Sequence, residues 1–196
     1  AGTYTVTVTD THGCTKSIVA VVAQSSTIEA SVEVTNANCF GASDGSIDLT
    51  VTGGAGAYTY DWSNNGPQNP DTDPQDLINI PAGNYIVTIT DANGCQKIVT
   101  AVVGQPTDLV LTGVVTPVSC NGGSNGAINL TVTGGSPDYT YLWSNGSAAQ
   151  DINGVIAGTY TVTVTDSHGC SKTYSATVSQ PTVLVPSVVV TDVNCF

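Results

Sequence analysis

Apolar and polar residues alternate with period 2 along most of this chain. Tyr85, Val87 and Ile89 fall on one side of a run whose other side holds Thr88 and Thr90, and Tyr58, Tyr60 and Trp62 likewise point one way. Such alternation belongs to half-buried β-strands, and no 3.6-residue helical period competes with it. Gly53-Gly54 and Asn93-Gly94 mark turns, and Gln105-Pro106 and Gln180-Pro181 mark joints. The pattern predicts strands near 28–36, 46–52, 57–62, 76–80, 84–90 and 97–103, with a variable stretch between the third and fourth.

The same blocks return along the chain. The stretch from Gly83 to Cys95 recurs from Gly158 to Cys170 and from Gly2 to Cys14. Ile47–Gly54 recurs as Ile128–Gly135, and Tyr58–Ser63 as Tyr139–Ser144. The period is 81 residues from Cys14 to Cys95 and 75 from Cys95 to Cys170. Two complete repeats, 25–106 and 107–182, therefore follow the last two strands of an earlier repeat (1–24) and precede the first strand of a later one (183–196). Roughly seven short strands in about 80 residues indicate a β-sandwich of immunoglobulin type. Trp62 and Trp143 sit on the third strand, where such folds bury an aromatic. Pro81-Ala-Gly-Asn-Tyr85 and Ile156-Ala-Gly-Thr-Tyr160 read as tyrosine corners. The expected fold is all-β, with tandem immunoglobulin-like β-sandwich repeats arranged end to end as a rod. Its expected core is Trp62, Tyr85 and Val87 in one repeat and Trp143, Tyr160 and Val162 in the next.

Charge narrows the function. The net charge is -12, with only three cations, Lys16, Lys97 and Lys172. Neutralising phosphates takes clustered Lys or Arg, which argues against nucleic acid and against anionic membrane surfaces. No apolar run reaches the roughly eighteen residues of a membrane-spanning helix.

Chemistry is scarce. The histidines, His12 and His168, occupy equivalent hairpin positions in different repeats. No Ser-His-Asp set, HExxH, P-loop or CxxC pattern is present, and a non-enzymatic chain is expected. Asp10, Asp91 and Asp166 each precede a Gly-containing turn, which their carboxylates are expected to cap. Each is also expected to face the lysine six positions later, across the hairpin. Asp71, Asp73 and Asp76 form an acidic insertion. It reads either as a solvated loop or as oxygen ligands for Ca²⁺, the one cofactor considered. The Thr-x-Thr ladders read as outward strand faces.

The phrases Asn38-Cys-Phe-Gly-Ala-Ser-Asp-Gly45, Gly53-Gly54, Tyr58-Thr-Tyr-Asp-Trp62 and Gly-x-Tyr … Thr-Asp-x-x-Gly-Cys resemble the SprB-type repeats of giant surface adhesins in gliding Bacteroidota-type bacteria. Asn121 departs from the pattern, since an aromatic (Phe40 in the first repeat) follows the cysteine elsewhere. The resemblance implies type IX secretion, display on the cell surface and a part in adhesion or gliding motility. The expected role is a stalk or filament segment that spaces a binding region from the cell. Its partners would be neighbouring repeats, other copies in a filament, and an unidentified surface or glycan ligand. The alternative is a glycan- or calcium-dependent adhesive module within the repeats.

A secreted chain should oxidise its cysteines, Cys14, Cys39, Cys95, Cys120, Cys170 and Cys195. Each hairpin cysteine is followed 25 residues later by one after the first strand of a repeat. Three pairings are open: local (Cys14–Cys39), within a repeat (Cys39–Cys95, Cys120–Cys170) or between repeats (Cys39–Cys170). Alternating strand directions would place the two cysteines of one repeat at opposite ends. Loss of a strand in the variable stretch would instead bring them together.

Overall fold

The computed structural model describes residues 1–24, 26–63 and 73–192, and among them the regular elements are all strands. The chain divides into two units. One comprises residues 1–37 and 43–104, the other 38–42 and 105–196.

In the first unit, β3 (Ile28–Thr35), β4 (Gly45–Gly53) and β6 (Leu77–Ile80) form an antiparallel sheet with β4 central. A second antiparallel sheet holds β5 (Thr59–Trp62), β7 (Gly83–Thr90) and β8 (Gln96–Val103), with β7 central. Alternation supplies the core. Ile47 and Leu49 from β4 and Val87 and Ile89 from β7 are buried around Trp62, while Thr88 and Thr90 lie on the outer face. The second unit repeats the plan. There β9 (Val110–Thr116), β10 (Gly126–Thr133) and β12 (Ile152–Val155) face β11 (Thr140–Trp143), β13 (Gly158–Thr165) and β14 (Ser171–Val178). Ile128, Leu130, Val162 and Val164 surround Trp143.

Two expectations need correction. Tyr85 is buried, but Tyr160 is only half-buried and packs at the margin of its core. Both rings serve as corners, donating to the backbone four residues upstream: Tyr85 to Pro81 O at 2.7 Å and Tyr160 to Ile156 O at 3.0 Å. That reach holds the ring at the edge of the sandwich. The second correction concerns strand number. Among the described residues the second unit has six strands, because residues 144–151 between β11 and β12 are irregular.

That irregular stretch nevertheless returns the chain to the end where β11 began. Strand β10 is antiparallel to both β9 and β12, and β11 is antiparallel to β13. Asp166, just after β13, bonds to Ser136, just after β10, so β10 and β13 run one way and β9, β11 and β12 the other. Side chains stand in for ladder bonds along the return path. Asp151 Oδ1 accepts from Leu130 N at 2.8 Å, and Gln150 Nε2 donates to Leu130 O at 2.6 Å. The Trp143 indole N–H donates to Ala149 O at 2.9 Å, which satisfies the one polar atom of a buried ring. In the first unit Asp76, Gln75 and Pro74 play the same parts toward Leu49 and Trp62.

At the start of the chain, β1 (Gly2–Thr9) and β2 (Thr15–Val22) pair from Gly2↔Val22 to Thr9↔Thr15. The register matches that of β7 with β8 and of β13 with β14. Tyr4, Val6 and Val8 hold the positions of Tyr85, Val87 and Ile89 but are exposed, since only β1 and β2 pack together there. Residues 181–192 carry no strand.

Trp143 is 2% exposed and central to its core. Trp143→Ala should cost ~3–5 kcal/mol. At about 4–8 °C per kcal/mol for a domain this size, calorimetry should show the second unit melting more than ten degrees lower. The transition of the first unit should stay in place.

Candidate functional site

Each hairpin between the last two strands is organised by the aspartate that precedes it. Asp166 is among the few buried charged residues described. Its Oδ1 accepts N–H bonds from His168 and Cys170, both at 2.9 Å, and its Oδ2 accepts one from Ser136 at 2.9 Å. One carboxylate thus ties the hairpin to the Gly134-Gly135 turn that follows β10. Gly135 has φ +62°, and a Cβ there would lie 2.8 Å from Asp166 Oδ2, so the carboxylate fits only because that residue is glycine. Asp91 repeats the arrangement with Asn93, Cys95 and Ala55. Asp10 does so with His12 and Cys14.

Burial alone would push the Asp166 carboxyl upward. Backbone N–H donation from Ser136, Cys170 and His168 outweighs it, with a smaller contribution from the His168 charge, and holds the group below its ordinary value. At Asp91 burial is likewise overcome by donation from Cys95, Ala55 and Asn93.

The Asp166 hairpin carries a covalent bond. Residues 38–42 belong to the second unit, and their Cys39 is disulfide-bonded to Cys170 with a Cα–Cα separation of 5.7 Å. The 38–42 turn is shaped before it reaches the hairpin. Ala42 N donates to Cys39 O at 3.1 Å, and Gly41 N donates to Gln105 Oε1 at 2.7 Å. Cys39 and Phe40 border a cleft whose other walls include Asp108, Leu109, Gly135 and Asp166. This is the between-repeat pairing of the three left open. Within the second unit, Cys120 follows β9 and Cys170 follows β13, which places them at opposite ends of the sandwich.

Lysine pairing differs from the expectation. Lys172 Nζ meets Asp108 Oδ2 at 2.5 Å, and the residue across the hairpin from Lys172 is Val164 rather than Asp166. Both partners are exposed, so the pair contributes about 0–1 kcal/mol. Asp73 and Asp76 are likewise engaged with the backbone, accepting from Trp62 N at 2.7 Å and Leu49 N at 2.9 Å; Asp71 lies outside the described residues. Among the described residues no three His, Cys, Asp or Glu side chains gather as a metal set. The ladder hydroxyls bond across strands, Thr161 to Ser175 at 2.7 Å and Thr7 to Ser17 at 2.8 Å. Cys14, Cys95 and Cys120 are exposed free thiols, and Cys195 lies outside the described residues. The Gln105 and Gln180 contacts were missed in the sequence, although their placement before Pro106 and Pro181 was the available signal.

A carboxyl held below its ordinary pKa of about 4 stabilises the fold above that value. The contribution disappears as pH falls through the depressed folded pKa. Thermal melts from pH 7 to pH 2 should therefore lose stability below pH 4. Asp166→Asn should lower the melting temperature of the second unit by several degrees at pH 7. The deficit should shrink as pH falls through the depressed folded pKa, where the wild-type carboxyl takes up its proton too.

The SprB repeat model matches residues 31–67 and 112–148. No curated protein matches the chain. Solved structures with similar backbones include the three N-terminal domains of the bacteriophage RB49 highly immunogenic outer capsid protein, at 21% identity over 79% of this chain and 59% of that one, TM-score 0.47. The N-terminal eight Ig domains of Down syndrome cell adhesion molecule align at 12% identity over 92% and 28%, TM-score 0.47. The C-terminal 282-residue fragment of intimin aligns at 18% identity over 80% and 64%, TM-score 0.40. The chain spans less than two thirds of each of these proteins. The chain is an all-β tandem of two sandwiches, and each has a segment, mainly β3–β5 in one and β9–β11 in the other, that is similar to the SprB repeat.

Proposed function

We propose that this chain is a spacer segment of a large secreted surface adhesin, holding a binding region away from the cell. The observation that supports it most is how the polar side chains are spent. The carboxylates of Asp76, Asp91, Asp151 and Asp166 accept backbone amides, and the strand hydroxyls pair with one another. The same internal uses recur in both units, as repetition of a structural module requires. Both tryptophans, Trp62 and Trp143, are buried in the cores, while Tyr4 and Phe40 are exposed.

A glycan array probed with the purified chain, with calcium and with chelator, tests the reading. A spacer gives no specific retention in either condition, and its melting temperature does not move on chelation. Retention of a defined glycan, or a calcium-dependent rise in melting temperature, would favour an adhesive module over a spacer.

A further inference from the structure

Tension along this chain has two covalent routes, one through the backbone and one through a pair of sulfur atoms. We propose that the Cys39–Cys170 disulfide is a load-bearing bypass, which passes pulling force from β3 to β14 and keeps it off both sandwich cores. The inference deepens the spacer reading and rests on it for its use, since a tether is loaded along its length.

Connectivity carries the first step. The bond joins positions 131 apart in sequence. Residues 40–169 lie in the loop it closes, and they hold every strand from β4 to β13. Pulling the flanks apart loads residues 1–39, the two sulfurs and residues 170–196. The loop carries no tension.

The two strands left in the route have little length to give. β3 ends four residues before Cys39, β14 begins directly after Cys170, and each is eight residues long. A strand already spans about 3.3 Å per residue, against a limit of about 3.6 Å for an extended chain. Force applied to both ends of such a strand gains almost nothing by tearing it from its sheet. Between β3 and Cys39 the path is pinned as well. Buried Ala37 donates its N–H to Gly104 O at 3.0 Å, and Asn36 Oδ1 accepts from Gly104 N at 2.8 Å.

Those same bonds show what the backbone route would do. They place the end of β3 beside the end of β8, as Val118 N to Ser179 O at 2.9 Å does for β9 and β14. Force entering at the start of β3 and leaving at Gly104 would shear the two strands and break these contacts first. With the disulfide in place the load leaves at Cys39, before it reaches β4 to β8. In the second unit it enters at Cys170, past β9 to β13.

The test is force-clamp spectroscopy of the full chain, held by handles at its two ends. Cys14, Cys95, Cys120 and Cys195 are changed to Ser so that only one disulfide can form. The reference is the same chain reduced before loading, and Cys39→Ser should match it. At a force that unfolds the reference, it should lengthen in two steps, one for each sandwich. The oxidised chain is held at that force about tenfold longer than the reference survives, a lifetime set by its unfolding rate under load. A dithiol reductant is then added. One of its thiolates attacks the disulfide, its second thiol displaces the protein sulfur, and the products are two protein thiols and a cyclic disulfide.

Cleavage should release little length by itself. The two reference steps should follow with the delay of the reference, and the contour gained should total about 430–470 Å, the reach of 131 positions. One step of that whole length at the moment of cleavage would overturn the proposal, because the cores would have unfolded under load. An oxidised chain that lengthens like the reference before reductant is added would also overturn it. So would a reduced chain with no folded sandwich at rest, since the bond would then hold the fold rather than carry force past it. Glycan binding by the chain would leave these traces unchanged, so this proposal and the spacer reading fail separately.

Discussion

The aspartate beneath each terminal hairpin is the constraint from which the rest of a unit follows. A carboxylate taken out of water is costly unless its lone pairs are met, and three backbone amides meet those of Asp166. Meeting them fixes the hairpin shape, pins it to the turn of the opposite sheet and demands glycine at position 135. It also sets the orientation of the Cys170 backbone, and with it the place where a second sulfur can arrive. The same carboxylate that stabilises the fold therefore aims the cysteine.

The second constraint is the return path between β11 and β12. An extra strand there was one route to placing the two cysteines of a repeat at opposite ends. The chain reaches the same outcome without it, as Gln150 and Asp151 supply through their side chains the bonds that a strand backbone would have made to Leu130. Strand count and strand direction are thus separable. Direction decides which cysteines meet.

Much of this was legible in the chain. Period-2 runs located all six strands of a repeat to within a few residues, because a face that must be buried fixes its alternation. Trp62, Trp143 and the corner tyrosines were placed by their positions on those strands. Three things were not legible. Whether Asp73 and Asp76 act as backbone acceptors depends on a loop path that has no periodic signal. The half-exposure of Tyr160 depends on packing at the rim of the sandwich, where alternation carries little information. Cysteine pairing depends on chain direction through an irregular segment, and equal spacings of 25 residues are compatible with every connectivity.

The most direct check of the account is a proteolytic digest of the oxidised chain, analysed without reduction. The geometry predicts one dominant linked pair within the chain, Cys39 with Cys170, present in wild type and lost in Cys39→Ser and Cys170→Ser. A dominant Cys39–Cys95 or Cys14–Cys39 pair would contradict the strand directions and the hairpin geometry that bring Cys39 to Cys170.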